Sequence, residues 1–374
     1  MVNVIPLTTA RERRAFVNLP WQLYKDDPNW VPPLRVDMAN TLKPKHNALL
    51  TLGPWCFFLA LKDGEPVGRI GCGMDQRLNE AKGIDMGYIT LFESIQDYEV
   101  AKALFDAAIG FLQRHGAVLV TGPQSPSNGD DYRGLLIEGF DGPPALLNSY
   151  NPPWYQKFFE EYGFEKQFDR IGFWFDLTEP EPEKLERGVR IAQKRYKFRV
   201  RPIDMNNLEA EMYAIKHITD KSTPEEWPDM ISPSMEELRA EVGKLKSLAN
   251  PELVFIAETE ENMEPVGMSI TLPDYNMVLK RMKGKIMPLG WLKFLRYRNK
   301  IDIARLFALM VVPEYHRKGV SAALYKHSFD AAKRLGYRGG DASSIHEFNL
   351  RIYNDAIGAG GKAYRKFRVY QMKI

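Results

Sequence analysis

The chain is poor in cysteine, with two, Cys56 and Cys72, among 374 residues. Two thiols make neither a disulfide framework nor a cysteine-rich metal site, and a reducing compartment suits them. Histidine is scarce as well. The six residues are scattered without metal-ligand spacing, and no Ser-His-Asp or Cys-His arrangement is legible. Long apolar runs are missing: none approaches the roughly 18 residues of a membrane span. "MVNVIPLTTARERR" at the start carries no apolar stretch of the secretory kind. The net charge of +3 is too small to imply nucleic acid by itself. These absences predict a cytoplasmic protein without a metal, long enough for two domains that each bury a core.

What is there is repetition. "FLALKDGEPVG" (58–68) returns as "FIAETEENMEPVG" (255–267), each reading as a hairpin that restarts at Pro-Val-Gly. "FDAA" stands in a helical pattern at 105–108 and again at 329–332. "VIPL" (4–7) and "VRPI" (200–203) precede the two hairpins at nearly equal distances. Three landmarks in one order imply two copies of a single unit, 1–178 and 190–374, joined by a Pro/Glu-rich linker at 179–189. In the first copy Val100, Ala103, Leu104, Ala107, Ala108, Phe111 and Leu112 make the stripe of a helix packed on a sheet, closed by Gly116. Each copy is predicted to be α+β, a mixed and mostly antiparallel sheet with helices on both faces. The copies differ by insertions, 276–300 in the second and 122–150 in the first.

"EYHRKGVSAAL" (314–324) follows the apolar strand "ARLFALMVV" (304–312) and enters a predicted helix over 320–335. Gly319 permits a sharp turn, Ser321 suits an N-cap, and Arg317 and Lys318 add positive charge. Such a turn is either an anion cradle or a basic, solvated turn capped by serine. The first copy has "MGYITLFES" (86–94) running into "IQDYEVAKALF" (95–105), with no glycine there and with Asp97 and Glu99 in its place. Those acids suit a helix N-terminus and repel a diphosphate.

The strand, the Pro-Glu-Tyr, the basic residues with glycine, and the later "NLRIYNDAIGAGGKAYRKFRVY" (349–370) resemble the GNAT acyl-CoA N-acyltransferase superfamily. The family loop, Gln/Arg-x-x-Gly-x-Gly/Ala, here reads His316-Arg317-Lys318-Gly319-Val320-Ser321, with the central glycine kept and both outer positions changed. The resemblance implies that His316, Arg317, Lys318, Gly319, Val320 and Ser321 hold the diphosphate of acetyl-CoA or another acyl-CoA. It implies that backbone N–H groups near Met310, Val311 and Val312 face the thioester, and that Asn349 meets the pantetheine arm. The tyrosine often found seven positions after that asparagine is here Ala356, so Tyr353 is the candidate acid, alternatively a packed aromatic on its helix. Asp341 is the first candidate base, with His346 and Glu347 beyond it. The last motif of the first copy, "WYQKFFEEYGFEK" (154–166), keeps the family's ending. The whole chain resembles tandem-GNAT proteins: a degenerate first domain lacking the pyrophosphate loop, and a second that is the acyltransferase. "DPNWVPPL" (27–34), "GFDGPPALLNSYNPPWY" (139–155) and "AYRKFRVY" (363–370) resemble a poorly characterised bacterial group of this kind.

The implied reaction is acyl-CoA-dependent N-acylation, acetyl transfer in the first instance, of a small-molecule or peptide amine in the C-terminal domain. The alternatives are an aminoacyl or long-chain acyl transferase with a tRNA or carrier-protein donor, and a non-catalytic CoA-binding protein. The insertion at 276–300 has eight Lys/Arg and no acid, interleaved with Trp291, Phe294, Leu295 and Tyr297. It reads as a lid, as a surface for acidic lipid, carrier protein or RNA, or as an amphipathic excursion packed on the other domain. In the segment 122–150, Asp130 and Asp131 are candidates to hold an ammonium, or to close a turn.

Overall fold

The computed structural model describes the chain except for residues 128–130, 226, 229, 246 and 247 and the side chains of 244 and 245. Two compact units emerge, each discontinuous in sequence. Unit 1 is Met1–Ile171 with Tyr275–Asn299 and Arg365–Ile374; unit 2 is Gly172–Asp274 with Lys300–Tyr364.

In unit 1 the sheet runs β1 (Val2–Pro6), β2 (Trp55–Lys62), β3 (Glu65–Met74), β4 (Met86–Ser94), β5 (Leu119–Gly122) and then β13 (Lys362–Lys373), on whose residues 366–368 the short β6 (Leu135–Glu138) also pairs. The expected hairpin is β2–β3, in antiparallel register from Trp55↔Gly73 to Lys62↔Glu65. Around the sheet lie α1 (Ala10–Leu23), α2 (Arg35–Thr41), α3 (Gln76–Lys82), α4 (Tyr98–Arg114) and α5 (Tyr155–Tyr162). Helix α4 forms where the apolar stripe predicts it. Asp97 caps it through the Glu99 N–H, and Val100, Ala101, Leu104, Phe105, Ala108, Ile109 and Leu112 are buried. Each large side chain among them contributes about 1.5–3 kcal/mol through burial. Phe92, Phe105 and Phe159 stack and cross beneath it at centroid distances of 4.8–5.4 Å.

Unit 2 repeats the plan. Its sheet order is β8 (Phe198–Pro202), β9 (Val254–Thr259), β10 (Pro265–Pro273), β11 (Ile303–Val311), β12 (Gly339–His346) and then β7 (Glu165–Asp176). The helices are α6 (Glu183–Tyr196), α7 (Leu208–Ser222), α8 (Met235–Leu245), α11 (Val320–Arg334) and α12 (Leu350–Gly358). Among the described residues β4–β5 and β11–β12 pair in parallel, and the other pairs of known register are antiparallel.

The last strands are exchanged. β7 ends the first copy in sequence, but its residues from Gly172 onward belong to unit 2; β13 ends the second copy, but from Arg365 onward it belongs to unit 1. There Tyr370↔Gly122 through Lys373↔Leu119 pair β13 with β5. Arg368 grips Asp169 with Nε–Oδ1 at 2.8 Å and Nη2–Oδ2 at 3.0 Å. Burial raises the Asp169 carboxyl, and the hydrogen bonds from Arg368 and Lys166 outweigh that, holding it below its ordinary value. The division therefore differs from 1–178 and 190–374, because pairing partners are chosen in space and not by sequence neighbourhood. Within 179–189, α6 already begins at Glu183.

The insertion at 276–300 also lies elsewhere than its sequence position suggests. Residues 275–299 belong to unit 1 as α9 (Asn276–Met282) and α10 (Gly290–Tyr297). Buried Asn276 Nδ2 donates to Pro144 O at 2.9 Å, and Arg35 N donates to Gly284 O at 3.1 Å. Gly284 (φ +75°) lies so close to Trp21 that an added Cβ would come within 2.4 Å of the ring. The packing on the first copy is what the amphipathic-excursion reading anticipates. In the 122–150 segment, Asp131 accepts from Ser125 Oγ at 2.8 Å, a turn role, and Asp130 lies outside the described residues.

Candidate functional site

β11 and β12 run side by side for three pairs, Ile303↔Gly339, Ala304↔Gly340 and Arg305↔Asp341, and then part. Beyond Arg305, β11 keeps β10 on one side as far as Gly267↔Val311. Residues Leu306–Met310 stay half-buried although their strand is internal to the sheet. Val312 N–H donates to Val266 O, so the alternation of strand amides turns the Val311 N–H the other way, into the opening. Met310, Val311 and Val312 thus stand at the mouth of a wedge with a free strand edge.

The loop from Val312 to Val320 leads out of that strand. Pro313–Tyr315 form one 3₁₀ turn, and Arg317 and Gly319 take left-handed backbone, φ +60° and +79°. Gly319 is the N-cap of α11, where an added Cβ would meet Ala192 of α6 at 2.6 Å. Ser321 therefore does not cap the helix as expected: it is the second helical residue, and its Oγ donates to Asp355 Oδ2 at 2.5 Å. With no side-chain cap, the first N–H groups of α11 stay available to an anion. Arg317 is exposed, and Lys318 lies over the Tyr315 ring at 4.4 Å. His316 folds back, its Nε2 2.9 Å from Val311 O. Burial lowers its pKa against the pull of that carbonyl, so at neutral pH it is a hydrogen-bonding group and not a cation.

The other candidates fall into two groups. Asp341 is buried, with Oδ1 3.8 Å from Arg305 Nε. It accepts from Ser343 Oγ at 2.7 Å and from Tyr364 OH at 2.5 Å. Fully engaged, it pins the point where the strands part. Asn349 caps α12, its Oδ1 accepting from Ile352 N at 3.2 Å. Tyr353 is half-buried and packs edge-on to Phe173 at 5.1 Å, and Ala356 is buried. His346 stacks on Trp227 at 4.8 Å. Arg305 and Asp355 escape the sequence reading. A charge inside the apolar run "ARLFALMVV" is the signal that would have drawn attention to Arg305.

Unit 1 carries the same wedge, filled. β4 and β5 also pair for three residues, Met86↔Leu119 to Tyr88↔Thr121. Gly68↔Ser94 matches Gly267↔Val311, so Ser94 is the counterpart of Val311. Both backbone groups of Ser94 are taken by the buried Tyr155 hydroxyl, N at 2.7 Å and O at 3.0 Å. Glu93 accepts from Tyr24 OH at 2.7 Å and Tyr155 OH at 2.9 Å, with Arg69 Nη2 at 3.7 Å. Burial pushes the Glu93 carboxyl upward, and Arg69 and the two hydroxyls oppose it. Gln124 N–H donates to Ile89 O at 2.8 Å further down the strand. The quoted motifs serve this plug: Tyr150 OH donates to Asp27 at 2.7 Å, and Trp30 stacks on Tyr24 at 5.0 Å.

The Acetyltransferase (GNAT) family model matches residues 212–342, which include the wedge and its loop. Over nearly its whole length the chain is similar to Protein YghO of Escherichia coli (strain K12), 31% identical across 96% of this chain and 93% of that one. It is also 30% identical to Bacterial ceramide synthase of Caulobacter vibrioides (strain NA1000 / CB15N), across 100% of this chain and 98% of that one. The chain belongs to the GNAT family. A tandem GNAT protein from the clavulanic acid biosynthesis pathway superposes with a TM-score of 0.59 at 11% identity, covering 100% of this chain and 98% of that one. Both units of this GNAT protein thus carry the fold, and it is an acyltransferase of the superfamily. Among the described residues no group of three or more His, Cys, Asp or Glu could hold a metal ion, and no helix is long and apolar enough to cross a membrane.

Proposed function

We propose that this protein is an acyl-CoA-dependent N-acyltransferase working in the unit 2 wedge, with a long-chain amine as acceptor. The observation that carries the choice of unit is the contrast at one position: Val311 N–H faces an opening, whereas Ser94 N–H is bonded to Tyr155. The uncapped start of α11 with Arg317 and Lys318 suits a diphosphate, and the parted strand edge suits an extended pantetheine arm. The cosubstrate supplies an activated thioester. The Val311 N–H is the donor aimed at the oxygen on which charge gathers as an amine attacks. The leaving thiol, with an ordinary pKa near 8.5, asks little of an acid. Tyr353 is the residue to supply its proton, the proton released by the attacking amine then restoring the tyrosine, and Asp341 acts by holding the wedge open at Arg305.

The acceptor and the length of the acyl group follow from two supports. A full-length relative is named a ceramide synthase, and a ceramide is an N-acylated long-chain amino alcohol. The half-buried edge Leu306–Met310 is apolar throughout, which suits an aliphatic chain better than a peptide.

The test incubates the protein with acyl-CoAs from two to eighteen carbons and a panel of amines that includes a long-chain amino diol, reading free thiol and N-acyl product by mass spectrometry. Product from a long-chain donor and the amino diol is expected. Arg317→Glu with Lys318→Glu should weaken acyl-CoA binding about tenfold or more while leaving chain-length preference unchanged. Neither thiol release nor a melting shift with any acyl-CoA would sink the proposal. Product from acetyl-CoA and short amines alone would overturn the acceptor class.

A further inference from the structure

The insertion is fastened to unit 1 on one side and bare on the other. Val278 and Met282 are buried, Trp21 Nε1 donates to Lys283 O at 3.3 Å, and the Arg35 guanidinium lies 4.0 Å over Trp21. Phe294 turns inward onto Tyr275 at 5.7 Å. From this mount the segment 286–295 projects six large apolar side chains, Ile286, Met287, Leu289, Trp291, Leu292 and Leu295, each between 40% and 67% exposed. Trp291, Leu292 and Leu295 share one face of α10. Around them all eight basic residues of 276–300 are exposed, and the segment has no acid.

We infer that this tip docks on an anionic lipid bilayer, its apolar residues entering the headgroup–acyl boundary and its lysines and arginines meeting lipid phosphates. The two halves of the argument select one partner. A solvated surface does not gather six large apolar side chains, and an exposed patch of this kind marks an interaction site. A purely apolar protein partner would not be matched by eight cations without one acid. RNA would meet the cations but leave leucine, isoleucine and methionine in water. A bilayer rich in anionic lipid satisfies both, with tryptophan at the interface and long basic side chains reaching outward. A rigid mount keeps the ordering cost low, because the segment is held before it binds. The inference does not rest on the acceptor proposed above, since the docking requires no turnover.

The test is co-sedimentation of the full chain with vesicles of phosphatidylcholine alone and with 30% phosphatidylglycerol, in 0.05 and 0.5 M salt. The expected result is binding to the anionic vesicles that falls in high salt. Trp291→Glu with Leu295→Glu, and separately Lys293→Glu with Arg296→Glu, should each reduce it about tenfold. Unchanged melting temperatures would show that these exposed substitutions leave the fold intact, and Trp291→Phe should retain most of the binding. Equal binding to neutral and anionic vesicles would overturn the inference, as would no binding or full binding by both double variants. A dimer in solution abolished by Trp291→Glu with Leu295→Glu, without any vesicle binding, would assign the face to a second copy instead.

Discussion

Asp341 stands opposite Arg305 at the last residue pair before the strands part, and both are almost fully buried. Removing one charge of a buried pair leaves the other uncompensated, a loss of about 3–5 kcal/mol. Asp341→Asn is accordingly expected to lower unfolding free energy by that amount in a denaturant titration. A variant as stable as the parent but without turnover would return Asp341 to the role of base. Tyr353→Phe keeps the ring against Phe173, so its stability should change by less than about 1 kcal/mol, and any loss of turnover then reports on the hydroxyl. Sequence reading singled out the loop 316–321 because its motif is local, and Asp341 only as a candidate base. It missed Arg305 as partner, because a parallel register between 305 and 341 has no signature in either segment. It also placed the helix cap at Ser321: serine is a frequent cap, but here Gly319 takes the left-handed turn two residues earlier.

At the scale of elements, hairpins and helices were legible wherever periodicity and turn residues agreed. The β2–β3 and β9–β10 hairpins, α4 and α11 lie where the repeats put them. The wedge was not legible. Whether two strands part after three pairs is decided by what fills the gap, and in unit 1 the filler is Tyr155, 61 residues after Ser94. Tyr155→Phe removes one hydroxyl that meets the Ser94 backbone and Glu93. With buried polar groups left without that partner, a loss of about 2–3 kcal/mol is expected, measured by chemical unfolding. Acyl-CoA binding should be untouched if unit 2 holds the site. Weakened binding with stability preserved would locate the cosubstrate in unit 1.

For the whole molecule, the exchanged strands set the terms. The division at 178–190 reads naturally from the repeats, yet a fragment 190–374 would lack Phe173 and Phe175, both buried in unit 2. A fragment 1–189 would lack the β13 residues that pair with β5 and the Arg368 that holds Asp169. Expressed alone, neither is expected to give a cooperative melt by circular dichroism, whereas co-expression should restore one. A cooperative transition for 190–374 by itself would overturn this.

The exchange also sets a clock for synthesis. Unit 1 has most of its chain by Ile171, but its closing strand begins at Arg365. At about 5–20 residues per second, β5 waits roughly 12–50 s at the ribosome for the residues 370–373 that pair with it. During that interval its edge is open to the wrong partner, and the first strand able to cover it is the last one made.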